Sequence, residues 1–501
     1  MNSLIQSPML RRFSAARSLV THRDGGGAVD VMKSMPLLHK INLDLKDGPL
    51  SFIGVFVSNL LAARLQMAIS LGFHILFAVV GIALPLMMAV AEAFWLRTRD
   101  PVYRVLARRW ARGAAILFAV GAVSGTVLSF ELGLLWPRFM KFAGPIIGLG
   151  FGLEGFAFFT EAIFLGIYIY GWDRVPPLAH WLAGAIIALS GALSGILVVS
   201  VNAWMNTPAG FVLQGSKATN IDPLRALLGP AMIAETLHMT LAAYAATGLL
   251  VAGIHGVLLL NDRANPFHRR ALAIALAVGG VASVLQPLSG HYAAQVVART
   301  QPVKLAAMEG QFRTERRAPL RIGGLPDPVA GTTRYALEIS GGLSVLAYND
   351  PNAEVVGLDA IPTADRPPVR IIHVSFQVMV ACGLAMALVS FWAAAVAWRS
   401  RRVPDGSMFL SATVLISPLG MLAIEAGWTV TEVGRQPWII QGVMRTADAV
   451  TPVPGLWISL LVYSTLYVFL GLVVALLLAR QFRDSPRPDE IVAASTPEGA
   501  H

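Results

Sequence analysis

Long apolar runs, broken at intervals by arginine-rich or glycine- and proline-rich stretches, occupy most of the chain between about residues 60 and 480. Nine of these runs come close to or exceed ~20 residues, the length at which an α-helix crosses the hydrocarbon core of a bilayer. They place membrane spans at about 66–96, 110–136, 146–171, 181–204, 230–260, 270–289, 371–398, 408–431 and 455–479. The predicted fold is an all-α polytopic membrane protein of about nine transmembrane helices, with a long loop between helices 6 and 7.

Composition agrees with that reading. Of 501 residues, 55% are hydrophobic and only 14% charged, with a mean hydropathy of +0.63. A soluble chain of this length would carry nearly twice that charge fraction, about 25%. The net charge of +10 does not point to nucleic acid, because the basic residues cluster at the ends of apolar runs, where membrane topology accounts for them. The single cysteine, Cys382, lies inside an apolar run. That excludes a disulfide framework and a thiolate cluster, so redox chemistry here must use histidine, methionine or carboxylate ligands.

The distribution of charge predicts orientation. Sixteen arginines fall on one face, among them Arg97, Arg99, Arg104, Arg108, Arg109 and Arg112 between the first two spans. Only six Lys or Arg fall in the three short loops opposite (Arg138, Lys141, Lys217, Arg225, Arg435, Arg445). By the positive-inside rule the C-terminus is cytoplasmic and the long loop faces out. That loop, about 290–370, carries nine Lys or Arg, but loops of such length largely escape the rule. Within it, Val303 to Glu309 reads as a short amphipathic helix and Gly323 to Pro328 as a turn. The expected organisation is a polar tail over 1–50, helices 1–6 over 51–289, the loop, helices 7–9 over 371–480, and a cytoplasmic tail over 481–501. The first tail has no apolar core of a secretory signal; a disordered tail or a start codon assigned upstream accounts for it.

Ionisable residues within spans are costly and mark function or a buried partner. Span one carries His74, span two Glu131, span three Glu154 and Glu161, and span five Glu235 and His238. Span seven carries His373, Gln377 and Met379, and span eight carries Glu425 with Glu432 at its end, just before Gly434-Arg435-Gln436-Pro437-Trp438. Glu154 and Glu161 are seven apart, so they share one helix face about 10 Å apart along the axis. That suits two steps of a proton path; the plainer alternative is two carboxyls hydrogen-bonded to neighbouring helices. A lone histidine such as His74 is as readily a packing residue as a ligand. Glu235-Thr-Leu-His238 is half of a di-iron Glu-x-x-His pattern without its second half. Met379 alone is an ordinary core methionine; paired with a histidine from another helix it would be a haem ligand.

Six motifs in order resemble the quinol-oxidising subunit I of cytochrome bd-type terminal oxidases. They are Ala63-Arg64-Leu-Gln66-Met-Ala ahead of His74, Leu153-Glu154-Gly155-Phe-Ala-Phe-Phe-Thr-Glu161, Gly171-Trp-Asp-Arg174, Asn202-Ala-Trp-Met-Asn206-Thr-Pro208, Ser375-Phe-Gln377-Val-Met379, and Gly434 to Trp438. The resemblance runs from about Arg64 to Arg480. It implies an electrogenic quinol:O₂ oxidoreductase in a bacterial cytoplasmic membrane. Its cofactors would be a low-spin haem b, a high-spin haem b and a haem d.

Carried over residue by residue, the resemblance makes His238 and Met379 the axial ligands of the low-spin haem. His74 and Glu432 match the ligands of the two high-spin haems, with His74 favoured for haem d. Glu154 and Glu161 match the proton route to the oxygen site, and Lys304 and Glu309 match the quinol-contacting pair of the long loop. Arg435 and Trp438 match residues that hold haem propionates and assist electron transfer. The implied partners are ubiquinol or menaquinol, O₂, a second membrane subunit and a small single-helix subunit. Gln377 where arginine is common, Glu131 two places later than in many relatives, and the Arg445 to Gly455 loop resemble the cyanide-insensitive branch. In that branch a second high-spin haem b takes the place of haem d. The competing reading is a proton-coupled secondary transporter using the buried glutamates, for which inverted repeats would be the sign; none is evident. Glu425 is left with no role beyond hydrogen bonding.

Overall fold

The computed structural model describes residues 58–483 and residue 486; the expected tail over 1–50 and nearly all of 484–501 lie outside them. Nine helices long and apolar enough to span a membrane are present among the described residues. They are α1 (Asn59–Thr98), α2 (Pro101–Leu135), α3 (Pro137–Tyr170), α4 (Pro177–Asn206), α5 (Met232–Asn261), α6 (Pro266–Thr300), α7 (Val369–Ser400), α8 (Ser407–Gly434) and α9 (Leu456–Gln481). Each expected span lies essentially inside one of them.

Most helices are longer than the apolar runs that revealed them. The 40 residues of α1 extend about 60 Å at 1.5 Å per residue, twice the hydrocarbon thickness. Many of the added turns carry charged or polar residues that a hydropathy reading passes over. Arg104, Arg108, Arg109 and Arg112 belong to the first turns of α2 rather than to a loop. Likewise α6 continues through His291, Gln295 and Arg299 to Thr300, so the long loop starts near Gln301. Helix starts follow local chemistry: Pro101 and Pro266 occupy first-turn positions, capped by the side chains of Asp100 and Asn265. Proline tolerates that position because its missing N–H would have no helical partner there.

Alternate ends of the helices gather at two poles. The long loop crowns one pole, with the C-termini of α4, α6 and α8 and the N-termini of α5 and α7. The other carries the arginine-rich connections. α5 is the most enclosed helix and α9 the most exposed. α5 packs on α1, α4, α6 and α8. Its backbone meets α6 at Gly248, where an added Cβ would overlap Gly279; small residues let membrane helices approach this closely. Gly279 sits in a π-turn, Leu276–Gly280, within α6. The largest apolar cluster, including Met87, Met88, Leu106, Leu249, Phe267 and Phe409, fills the half away from the long loop.

The long loop is folded. Its helix Pro302–Glu309 matches the expected one. Strand pairs Leu320–Ile322 with Leu337–Ile339 and Leu325–Asp327 with Thr332–Arg334 follow. Gly323 and Gly324, both at positive φ, make the turn expected there, but Leu325–Asp327 then runs extended because it pairs with the later strand. The loop is fastened to α7. His373 places its two ring nitrogens 2.8 Å from the Met308 carbonyl and 3.0 Å from the Gly323 carbonyl. Gln377 accepts from the Gly323 amide and donates to the Arg321 carbonyl, both at 3.0 Å.

Candidate functional site

At the loop pole, α4, α5, α8 and the loop helix bring their polar ends together. Arg435, 2% exposed, donates to Glu432 Oε2 at 2.5 Å and to Asn206 Oδ1 at 3.2 Å. Asn202 donates to the other oxygen of Glu432. Asn206 donates to Glu235 at 3.0 Å and accepts from the Lys304 ammonium at 2.8 Å. Two carboxylates, two cations and two amides thus balance each other in a buried cluster, as low dielectric requires. Burial lowers the Lys304 ammonium to about 8, with Glu235 pulling it the other way. The Arg435 Nε is buried and has no protein partner. Trp438 lies just beyond, beneath the Arg445 guanidinium at 4.6 Å, and Arg445 pairs with Asp365 of the long loop at 2.5 Å.

The two candidate histidines share a second device. His74 Nδ1 is 3.0 Å from Ser124 Oγ on α2, and that hydroxyl donates to the Val120 carbonyl at 2.9 Å. With its proton so committed, the serine accepts from Nδ1–H, which leaves Nε2 with its lone pair free. His238 repeats the arrangement: Nδ1 is 3.1 Å from Ser289 Oγ, which donates to the Gln286 carbonyl at 2.9 Å. Gln286 also brings its amide nitrogen to 3.2 Å from His238 Nδ1 and 3.3 Å from Nε2. Neither serine was readable as a site residue from sequence, since nothing local marks which serine lies across from a histidine.

The remaining candidates are distributed along the bundle. Met379 packs its sulfur against Gly427 of α8, whereas the hydrogen-bond partners of His238 come from α6. Glu425 reaches across to Gly72 of α1, and its Oε1 is buried without a partner. Glu154 accepts from Ser194 at 3.0 Å. Glu161 lies against Gly191, so both carboxyls face the α3–α4 seam. Glu131 accepts from Gln66 at 2.9 Å, and Ser459 donates to Gln66 at 2.7 Å.

Lys304 and Glu309 share the loop helix but not a neighbourhood. Lys304 points into the Asn206 cluster, while Glu309 faces the Arg321 side. Glu309 is 1% exposed, its Oε2 has no protein partner, and burial pushes its carboxyl up to about 8 against the pull of Arg321. Two buried polar pairs escaped the sequence reading altogether, Glu92 with His180 and His255 with His268. An ionisable residue in each apolar run was the available signal.

Comparison with known proteins covers both the helices and the loop. The family profile described as cytochrome bd terminal oxidase subunit I matches residues 62–486. The putative cytochrome bd menaquinol oxidase subunit I of Bacillus subtilis (strain 168) is 36% identical over 448 residues, 88% of this chain and all of that one. The cytochrome bd ubiquinol oxidase subunit 1 of the same organism is 30% identical, over 86% of this chain and 95% of its own length. The bd oxidase structure from Geobacillus thermodenitrificans superposes with a TM-score of 0.80 at 40% identity, over 85% of this chain and 99% of that one. With matches of that extent, the chain belongs to the cytochrome bd terminal oxidase subunit I family.

Proposed function

We propose that this chain oxidises quinol at its loop pole and works with a second membrane subunit to reduce O₂ to water, as a quinol:O₂ oxidoreductase of a bacterial respiratory membrane. The observation that carries the site assignment is the buried cluster in which Lys304 of the long loop meets Asn206, Glu432 and Arg435. The loop expected to meet quinol and the helix end expected to bear an iron ligand are there one hydrogen-bonded unit. The family is one of terminal oxidases, so the transporter alternative is set aside.

The donor set fits haem. His74 and His238 each present an unprotonated nitrogen backed by a serine, the outer partner that fixes a ligating imidazole. Asn202 and Arg435 do the same for the Glu432 carboxylate. His238 and Met379 would hold the low-spin haem b. His74 and Glu432 would hold the two high-spin haems, one of them haem d or a second haem b. Arg435, with Nε free, would grip a propionate, which a guanidinium fork recognises bidentately. Bound haem would supply single-electron transfer and the iron at which O₂ is reduced.

Glu309 takes the proton of a quinol hydroxyl: it is enclosed, one oxygen is free, and a value near 8 suits a general base working near neutrality. Glu161 and Glu154 carry protons inward from the arginine-rich pole. With that pole and the C-terminus cytoplasmic, as charge predicts, quinol protons leave on the outer side and those for water come from inside. A potential then forms without a pump. The Gln377 clamp on the loop, Glu131 and the 445–455 segment support placement in the cyanide-insensitive branch. A small single-helix subunit alongside the second subunit completes the proposed assembly.

The experiment is an optical spectrum of the purified, dithionite-reduced oxidase. Low-spin and high-spin haem signals are expected. A far-red band would assign haem d, its absence with three haems bound would assign a second high-spin haem b, and absence of haem would sink the reading.

A further inference from the structure

The arginine-rich half of the bundle holds a buried acid–base pair to which nothing above gives a role. Glu92 of α1 is 0% exposed and His180 of α4 is 1% exposed. His180 Nδ1 is 2.8 Å from Glu92 Oε1, and Nε2 is 2.8 Å from the Tyr168 carbonyl. A carbonyl only accepts, so Nε2 carries a proton. Nδ1 and the carboxyl oxygen, at hydrogen-bond distance, then hold one more between them. It rests either on the ring or on the acid. The free oxygen of the pair is Glu92 Oε2, which faces the Tyr168 hydroxyl, and both atoms are buried with no other hydrogen-bond partner.

Position makes this more than a structural ion pair. Tyr168 lies seven residues beyond Glu161, as Glu161 does beyond Glu154, so all three occupy one face of α3 at about 10 Å intervals. Beside Glu161, on the side toward the pair, lies a small and almost wholly apolar cavity whose lining includes Gly81, Pro85, Leu117, Glu161, Leu165 and Ile187. From its walls, Glu92, Tyr168 and His180 are each displaced by one or two turns toward the arginine-rich pole. Pro85 lacks an N–H, so the Gly81 carbonyl loses its helical partner. That carbonyl and Glu161 both abut Gly191. At the outer end, the Trp172 ring covers His180, with centroids 4.0 Å apart. Arg104 and Arg108 cover Trp172 in turn and pair with the partly exposed Asp173.

We propose that Glu92 and His180 form a proton-holding station that passes protons through Tyr168 and the cavity to Glu161. This rests on the reading of Glu154 and Glu161 as a proton route and extends it toward the surface. Each proton leaving the pair toward Glu161 is replaced by one entering from the Asp173 side, so the pair returns to its starting charge.

The test uses the two-subunit oxidase in sealed vesicles, reduced and mixed with O₂ for a single turnover while membrane potential and haem spectra are followed. Glu92→Gln is expected to slow the potential-generating phase about a hundredfold, the scale one positioned proton carrier contributes. Haem spectra and the preceding electron-transfer phase stay intact, and Glu92→Asp keeps most of the wild-type rate. A wild-type rate in Glu92→Gln alongside a slow Glu161→Gln overturns the station and leaves the Glu154–Glu161 route standing. A wild-type rate in both removes the route as well. If Glu92→Gln fails to assemble with haem, Tyr168→Phe decides: slowing of about a hundredfold supports the station, and an unchanged rate overturns it.

Discussion

A histidine can ligate iron only through a nitrogen that carries no proton, and Ser124 and Ser289 decide which nitrogen that is. Each serine spends its own proton on a backbone carbonyl, so the ring must donate to it. Ser124→Ala and Ser289→Ala are expected to weaken retention of the haems proposed for His74 and His238 respectively by about 10–100-fold. Haem content per protein after size exclusion measures this, and full content in either variant would count against that histidine as a ligand. Glu309 sets a pH dependence. Burial holds its carboxyl neutral up to about 8, so it accepts a proton only as pH rises through that value. Quinol oxidation should therefore climb across that range, and Glu309→Gln should lose the rising limb. The stability sign is opposite: the folded state binds this proton more tightly, so the contribution is fully present below the ordinary carboxyl value of 4.5 and is lost as pH climbs toward 8. At this scale His74 and Glu432 stood out because a polar side chain in or beside an apolar run has to be explained, whereas Lys304 was singled out by the resemblance. Ser124 and Ser289 did not stand out, since their meaning lies in a partner on another helix.

Elements were legible to the extent that bilayer thickness dictates them. All nine helices announced themselves as apolar runs, while their ends did not. The Arg104 to Arg112 turns of α2 and the Gln295 to Thr300 turns of α6 continue as helix outside any apolar core, supported by ion pairs such as Arg108 with Asp173 at 2.6 Å. The α5–α6 crossing is equally silent in one sequence, because Gly248 and Gly279 acquire significance only when their backbones meet. Gly248→Leu should force that crossing apart. An overpacking cost at or above the usual 1–3 kcal/mol is expected, about several degrees or more in thermal unfolding of the detergent-solubilised protein. An unchanged melting temperature would mean the helices part there at no cost. The loop behaves differently again. Its helix could be read from amphipathic spacing, but its attachment through His373 and Gln377 could not, for both residues stand in the seventh apolar run with nothing local to show that they bond the loop.

At the scale of the whole molecule the two poles differ in chemistry, and the assigned function needs them on opposite sides of the membrane. The one native cysteine, Cys382, is buried, so introduced cysteines report orientation cleanly. Val329→Cys, at a loop position 97% exposed, should react with a membrane-impermeant maleimide in spheroplasts. Met408→Cys, at the opposite pole and 73% exposed, should react only after the membrane is broken. The reverse pattern would invert the proposed direction of proton traffic. By itself the sequence determined a membrane protein whose nine apolar runs are helices among the described residues and, through six ordered motifs, its family, because hydropathy and motif order are properties of the linear chain. Only the tertiary structure decided which buried groups meet: Lys304 with Asn206 rather than with Glu309, Glu425 against α1, and Glu92 with His180. Such pairings arise where helices far apart in the chain cross, and the charge or hydrogen bond that each residue needs is supplied from the other side of that crossing.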